Sequence, residues 1–197
     1  MRRTIRINCS LLLNFVLLTC VGSAQATTAI EQTFPDLVHR ADVIAVGTVT
    51  AIQERWDAAR QAPFTDVTFS HLTVMKGNVD GPTMMLEFLG GHTPDGAILS
   101  VSDVPQFTVG EKTVVFCAGN HRDFCPLVGL WQGRMRVTFD AQRGVEAISD
   151  TFRVPIVGVQ DGQLVKALSA EQQHEALPLA TFLDLIRQEL GNSYRQP

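Results

Sequence analysis

The chain has no basic stripe, no metal-spaced histidines and little cysteine, and each absence removes a class of function. Its 16 Lys and Arg are outnumbered by 20 Asp and Glu, and the basic residues are unclustered beyond the first six positions. Nucleic-acid binders need clustered positive charge to displace counterions, so that class is excluded, as is attraction to anionic membranes. The five histidines, His39, His71, His92, His121 and His174, show no H-x-H or H-x-x-x-H spacing that would set two rings on one face. No metal and no cofactor are expected. No G-x-S-x-G elbow raises a serine for attack. Repeats and low-complexity segments are absent too.

What is present begins with an export segment. Arg2, Arg3 and Arg6 precede the apolar run Leu11–Val21, and Ala24-Gln25-Ala26 supplies small residues for cleavage. The run is shorter than the roughly 20 residues a membrane span needs. Residues 1–26 therefore read as a signal peptide, with a mature chain from Thr27 that is periplasmic or secreted. A second reading is a lipoprotein. Leu17-Leu18-Thr19-Cys20 is similar to a lipobox, although Thr19 stands where Gly, Ala or Ser is usual. Cleavage after Ala26 lowers the 16 basic residues by three and removes no acidic one, leaving 13 against 20, a net charge of −7. Residues 27–197 are long enough for one domain with a sizeable core; a monomer is expected.

Of four cysteines, Cys9 and Cys20 leave with the export segment, and Cys117 and Cys125 remain. Two cysteines close in sequence in an oxidising compartment point to a disulfide across a short loop, which stabilises by about 2–3 kcal/mol in the chain-entropy model.

The pattern predicts a mainly β domain. Residues 29–40 are weakly helical through Ile30, Phe34, Leu37 and Val38, with Pro35 shortening or breaking the helix. Residues 42–52 form a β-branched run, apolar on both faces, which suits a strand covered on both sides, with Gly47 permitting a bend. Residues 65–75 alternate but change face near Ser70–His71, as at a bulge. Strands are also expected at 83–89 and 113–117 and around Met135–Phe139. Hairpin turns are expected at Asp140–Gly144 and Asp161-Gly162. Leu179, Phe182, Leu183, Ile186 and Leu190 form one apolar helical stripe, with Pro178 in its first turn and Gly191 as its cap. Together these elements indicate an all-β barrel with helical additions at both ends.

The ordered segments A-D-V-I-A-V-G-T-V (41–49), V-T-F-S-H-L-T-V-M-K-G (67–77) and V-G-E-K-T-V-V-F (109–116) resemble TIMP-like, or netrin-type, OB-fold domains over residues 30–118. Gly90-Gly91, the stretch 105–111 and P-L-V-G-L-W-Q-G (126–133) look closer to small exported bacterial proteins of unassigned function, which resemble TIMP-like domains without sharing their disulfide pattern. The resemblance implies an OB-fold-like barrel and a binding role, possible protease association included. It does not carry over zinc-directed protease inhibition, because Thr27 stands where those inhibitors begin with a cysteine, and zinc favours sulfur or imidazole.

The richest polar stretch is the loop 90–106, with Gly90, Gly91, His92, Asp95, Ser100, Ser102 and Asp103. It reads as a binding loop, joined by Trp56 as the exposed aromatic, while Trp131 reads as core. Glu87, inside an apolar strand, is expected to face solvent, since a buried carboxylate needs a partner. The expected function is an exported, non-catalytic binding module for a protein or carbohydrate. The alternatives are a periplasmic hydrolase built on the 90–106 loop, which requires its serine, histidine and aspartate to converge, and a structural envelope protein.

Overall fold

The computed structural model describes residues 30–169 and 172–193. The expected signal peptide, Thr27 and Cys20 lie outside the described residues. The chain enters through helix α1 (Phe34–Arg40). Thr33 caps it: its hydroxyl accepts from the Asp36 amide at 3.1 Å, and the Asp36 carboxylate accepts from the Thr33 amide at 3.2 Å. Pro35 thus opens the helix rather than breaking it, because the first turn has no use for its missing N–H. Ile30 lies before the helix and is exposed.

Strand β1 (Val43–Asp57) is central. It pairs antiparallel with β2 (Ala62–Lys76) on one side and β6 (Lys112–Cys117) on the other. β3 (Met84–Leu89) joins β2, β7 (Arg134–Asp140) joins β6, and β8 (Val145–Ser149) closes the order β3-β2-β1-β6-β7-β8. Two short hairpins, β4 (Gly91–His92) with β5 (Ile98–Leu99) and β9 (Ile156–Gln160) with β10 (Gln163–Lys166), stand apart.

The expected bulge is present. The β1–β2 register passes from Val46↔Thr73 to Thr48↔Ser70, with His71 at φ 53°. Gly47 sits at this shift, and a Cβ there would meet Leu72 Cδ2 at 2.8 Å. β1 and β2 also run further than the apolar pattern indicates, to a turn at Asp57. Gln53, Glu54 and Arg55 hid this extension, because one exposed strand face carries charge as readily as a loop does.

Both faces of the sheet are covered, which explains the doubly apolar β1. Ile44 and Val46 point into one cluster with α1, Phe116, Ile148 and Ile156; Ala45 and Val49 point into another with Val67, Phe69, Leu86 and Phe88. The C-terminal helix α2 (Leu179–Ser193) buries Leu179, Phe182 and Ile186 in the first cluster, with Leu183 and Leu190 packed beside them. It continues through Gly191, so that glycine is not its cap. No helix among the described residues is long and apolar enough to cross a membrane.

Cys117 and Cys125 are both buried thiols of the same core cluster. Cys117 bridges Leu127, and the Ala118 amide donates to Pro126 O at 3.1 Å, so the end of β6 and the segment that returns after Cys125 run side by side. Burial pushes the Cys117 thiol far up and the Cys125 thiol up to about 12.

Candidate functional site

Alternation along β1 and β2 sets Ile52, Glu54 and Trp56 on one sheet face with Thr65 and Val67, in the registers Ile52↔Val67, Glu54↔Thr65 and Trp56↔Pro63. Thr65↔Phe88 extends the row to β3. With Trp56 beyond them on the same face, Ile52, Glu54, Thr65, Val67 and Phe88 floor a groove. Its far wall is the β4–β5 hairpin and the loop that follows, through Leu99, Ser100, Val104, Pro105 and Phe107, around a volume of about 300 Å³. This is the lower end of the range for small-ligand sites.

Gly90 and Gly91 turn the chain from β3 into that wall. Their φ values of 133° and 132° lie in the positive-φ region that disfavours side chains. A Cβ on Gly91 would sit 3.3 Å from the Glu54 side chain. The Thr65 hydroxyl donates to Gly90 O at 2.9 Å and holds the turn. At the rim, Glu54 Oε2 accepts from the His92 amide at 3.0 Å and from His92 Nδ1 at 2.6 Å. These bonds hold the Glu54 carboxyl below its ordinary value.

The loop is anchored from behind. The Phe107 ring packs edge-on to Phe69 at 5.5 Å and against Phe88 at 5.3 Å. Arg134, only 1% exposed, lies 4.3 Å over the Phe107 ring and donates to Gln106 O at 2.8 Å. Its charge is met by Glu111, which also accepts from Arg136 at 3.0 Å.

The structure gathers most of the expected site residues and separates others. Gly90 and Gly91 line the groove, His92 sits at its rim, and Trp56, 37% exposed, lies one pleat beyond Glu54. Asp95 is turned away: it accepts from the Thr93 hydroxyl and shapes the hairpin turn. The hydrolase arrangement does not assemble. His92 is held by Glu54 rather than by Asp95 or Asp103, and among the described residues no hydrogen bond joins it to Ser100 or Ser102. The sequence reading missed Glu54, for which the alternation Ile52-x-Glu54-x-Trp56 was the available signal; Leu99, Val104 and Phe107 carried no local signal.

Two expectations are corrected outside the groove. Glu87 faces outward but is 1% exposed, because Arg60 folds over it with Nη1 at 2.6 Å, Arg55 pairs with it too, and His121 Nδ1 lies 3.7 Å away. The turn carrying Arg60 is held by Asp57, whose carboxyl the Arg60 amide and guanidinium hold down at about 2. Asn120 and Phe124 then close the outer edge of β3: Asn120 accepts from the Glu87 amide at 3.0 Å, and Phe124 O accepts from the Leu89 amide at 2.8 Å. Trp131 is not core. It is partly exposed, 5.0 Å from the exposed Phe152 ring, with Lys166 Nζ 5.4 Å from its own.

Comparison with protein-family models, curated proteins and solved structures returns no match. The groove must speak for itself.

Proposed function

We propose that this protein is an exported, non-catalytic binding module, an OB-like barrel of TIMP-like type, which takes the apolar part of a ligand into the groove between β1–β3 and the 90–107 loop. The observation that carries the reading is the groove itself. Phe88, Val67, Leu99, Val104 and Phe107 surround open space that no side chain of the described residues fills. Apolar surface left beside a void loses dispersion contacts that a ligand restores.

The neutral dye N-phenyl-1-naphthylamine should bind with enhanced emission. Leu99→Gln should weaken it about tenfold, as expected for part of a leucine's burial, with no loss of folding, since Leu99 is 37% exposed. Dye binding indifferent to this change would remove the groove from the account.

The His92–Glu54 pair favours a second reading, a hydrolase in which Glu54 orients His92 toward a nucleophile. It lacks that nucleophile in place, and a serine-directed fluorophosphonate should leave Ser100 unlabelled. Labelling abolished by His92→Ala would establish the hydrolase instead.

Export has its own consequence. We propose that Cys117 and Cys125, buried in one cluster, are joined in a disulfide. It forms by exchange with an oxidised thiol–disulfide carrier of the exporting compartment, which leaves reduced, before burial raises both thiols out of reach of the reactive thiolate form. Thiol labelling of unreduced, denatured protein recovered from the exporting compartment should give no signal. Two labelled cysteines per chain would show that the pair stays reduced.

A further inference from the structure

The groove is apolar, but it is not electrically neutral. Among the described residues Glu54 is the charged residue of its lining, and no lysine or arginine lines it. The Arg134 guanidinium lies behind the Phe107 ring and is taken up by Gln106 O, Thr151 and Glu111. Both bonds from His92 fall on Glu54 Oε2; Oε1 accepts no hydrogen bond from the described residues. Along the same strand face stands Trp56, partly exposed, its ring engaged by no other aromatic ring and by no cation of the described residues. The mouth of an apolar groove thus presents a carboxylate with one oxygen to spare and an open aromatic face beside it. Each is a recognised partner of an ammonium group.

We propose that the groove's ligand is an amphipathic cation, with its apolar chain between Phe88, Leu99 and Phe107 and its ammonium at the mouth between Glu54 and Trp56. This rests on the groove being a binding site. An anionic head would meet the Glu54 carboxylate, whose basic neighbour at the rim, His92, is already bonded to it. A neutral head would leave both the free oxygen and the ring face to water. The mature chain's excess of acidic residues steers cations toward the surface in the same sense. Because the head group sits at an exposed mouth, its contribution is modest and is screened by salt.

The test is displacement of N-phenyl-1-naphthylamine from the full chain by three probes of one length: octylammonium, octanol and octanoate. Octylammonium should displace about five- to tenfold more strongly than octanol, and octanoate more weakly than either. Glu54→Gln should bring octylammonium and octanol to a common affinity, and Trp56→Leu should narrow the gap between them. Raising the salt concentration should do the same in the native protein. Equal displacement by octylammonium and octanol, both sensitive to Leu99→Gln, would overturn the cationic ligand while leaving the groove a binding site. Stronger displacement by octanoate would overturn it likewise. Failure of octylammonium to displace a dye whose binding Leu99→Gln weakens would overturn the cationic ligand alone. Dye binding indifferent to Leu99→Gln would overturn the groove as well.

Discussion

Deleting residues 178–197 should leave a chain that no longer folds. The helix α2 fully buries Phe182 and Ile186 and nearly buries Leu179. Each such side chain contributes roughly 1.5–3 kcal/mol on burial, so three of them rival the 5–15 kcal/mol margin typical of a whole domain. The deletion also uncovers α1 and β8, against which the helix rests, and removes the bridge between Ala147 and Pro178. A milder change isolates the packing effect. Phe182 meets Phe34 at 5.7 Å and Phe116 at 6.4 Å, so Phe182→Ala leaves a cavity between two aromatic neighbours. The expected loss is about 3–5 kcal/mol, or roughly 6–20 °C in melting temperature for a domain of this size. Thermal unfolding followed by circular dichroism measures it. A truncated chain that melts like the parent would make α2 a docking element rather than part of the core.

Glu111→Gln should be the most damaging single polar substitution. Arg134 is fully buried, and burial pulls its guanidinium pKa down while Glu111 pulls it back. Arg134 Nε already lacks a partner. With Glu111 neutral, Arg134 keeps its bonds to Gln106 O and Thr151 but loses the charge that offsets its desolvation. Breaking a buried pair from one side costs about 3–5 kcal/mol. The effect reaches the groove, because Arg134 supports the Phe107 ring and the 100–107 segment. Dye affinity should therefore fall along with stability in chemical denaturation. Replacing both partners by Met, which removes the buried charge altogether, should recover much of the stability; if it does not, the network is holding the loop by geometry rather than by charge balance.

How far the sequence carried the account depended on whether a signal was local. β1 is apolar on both faces because two cores flank it, and that pattern was legible in residues 43–49. The bulge at His71, the turn at Asp161-Gly162 and the stripe of α2 were legible for the same reason: each is set by spacing along one segment. Glu87 was not. Its burial depends on Arg60, 27 positions away, folding back over a neighbouring strand, and no local pattern marks that event. The site divides in the same way. Gly90-Gly91 announced a special backbone, and Trp56 stood out among charged neighbours. The groove itself arises only when Phe107 is pinned by Phe69, Phe88 and Arg134.

The central claim is that the space between β1–β3 and the 90–107 loop is where this protein meets its ligand. Amide chemical-shift mapping with octylammonium tests it most directly. The account predicts shifts concentrated at Ile52, Glu54, Thr65, Gly90, Gly91, Leu99 and Phe107, saturating together with a single affinity. Shifts centred instead on Trp131, Phe152 and Lys166, or scattered without saturation, would contradict it.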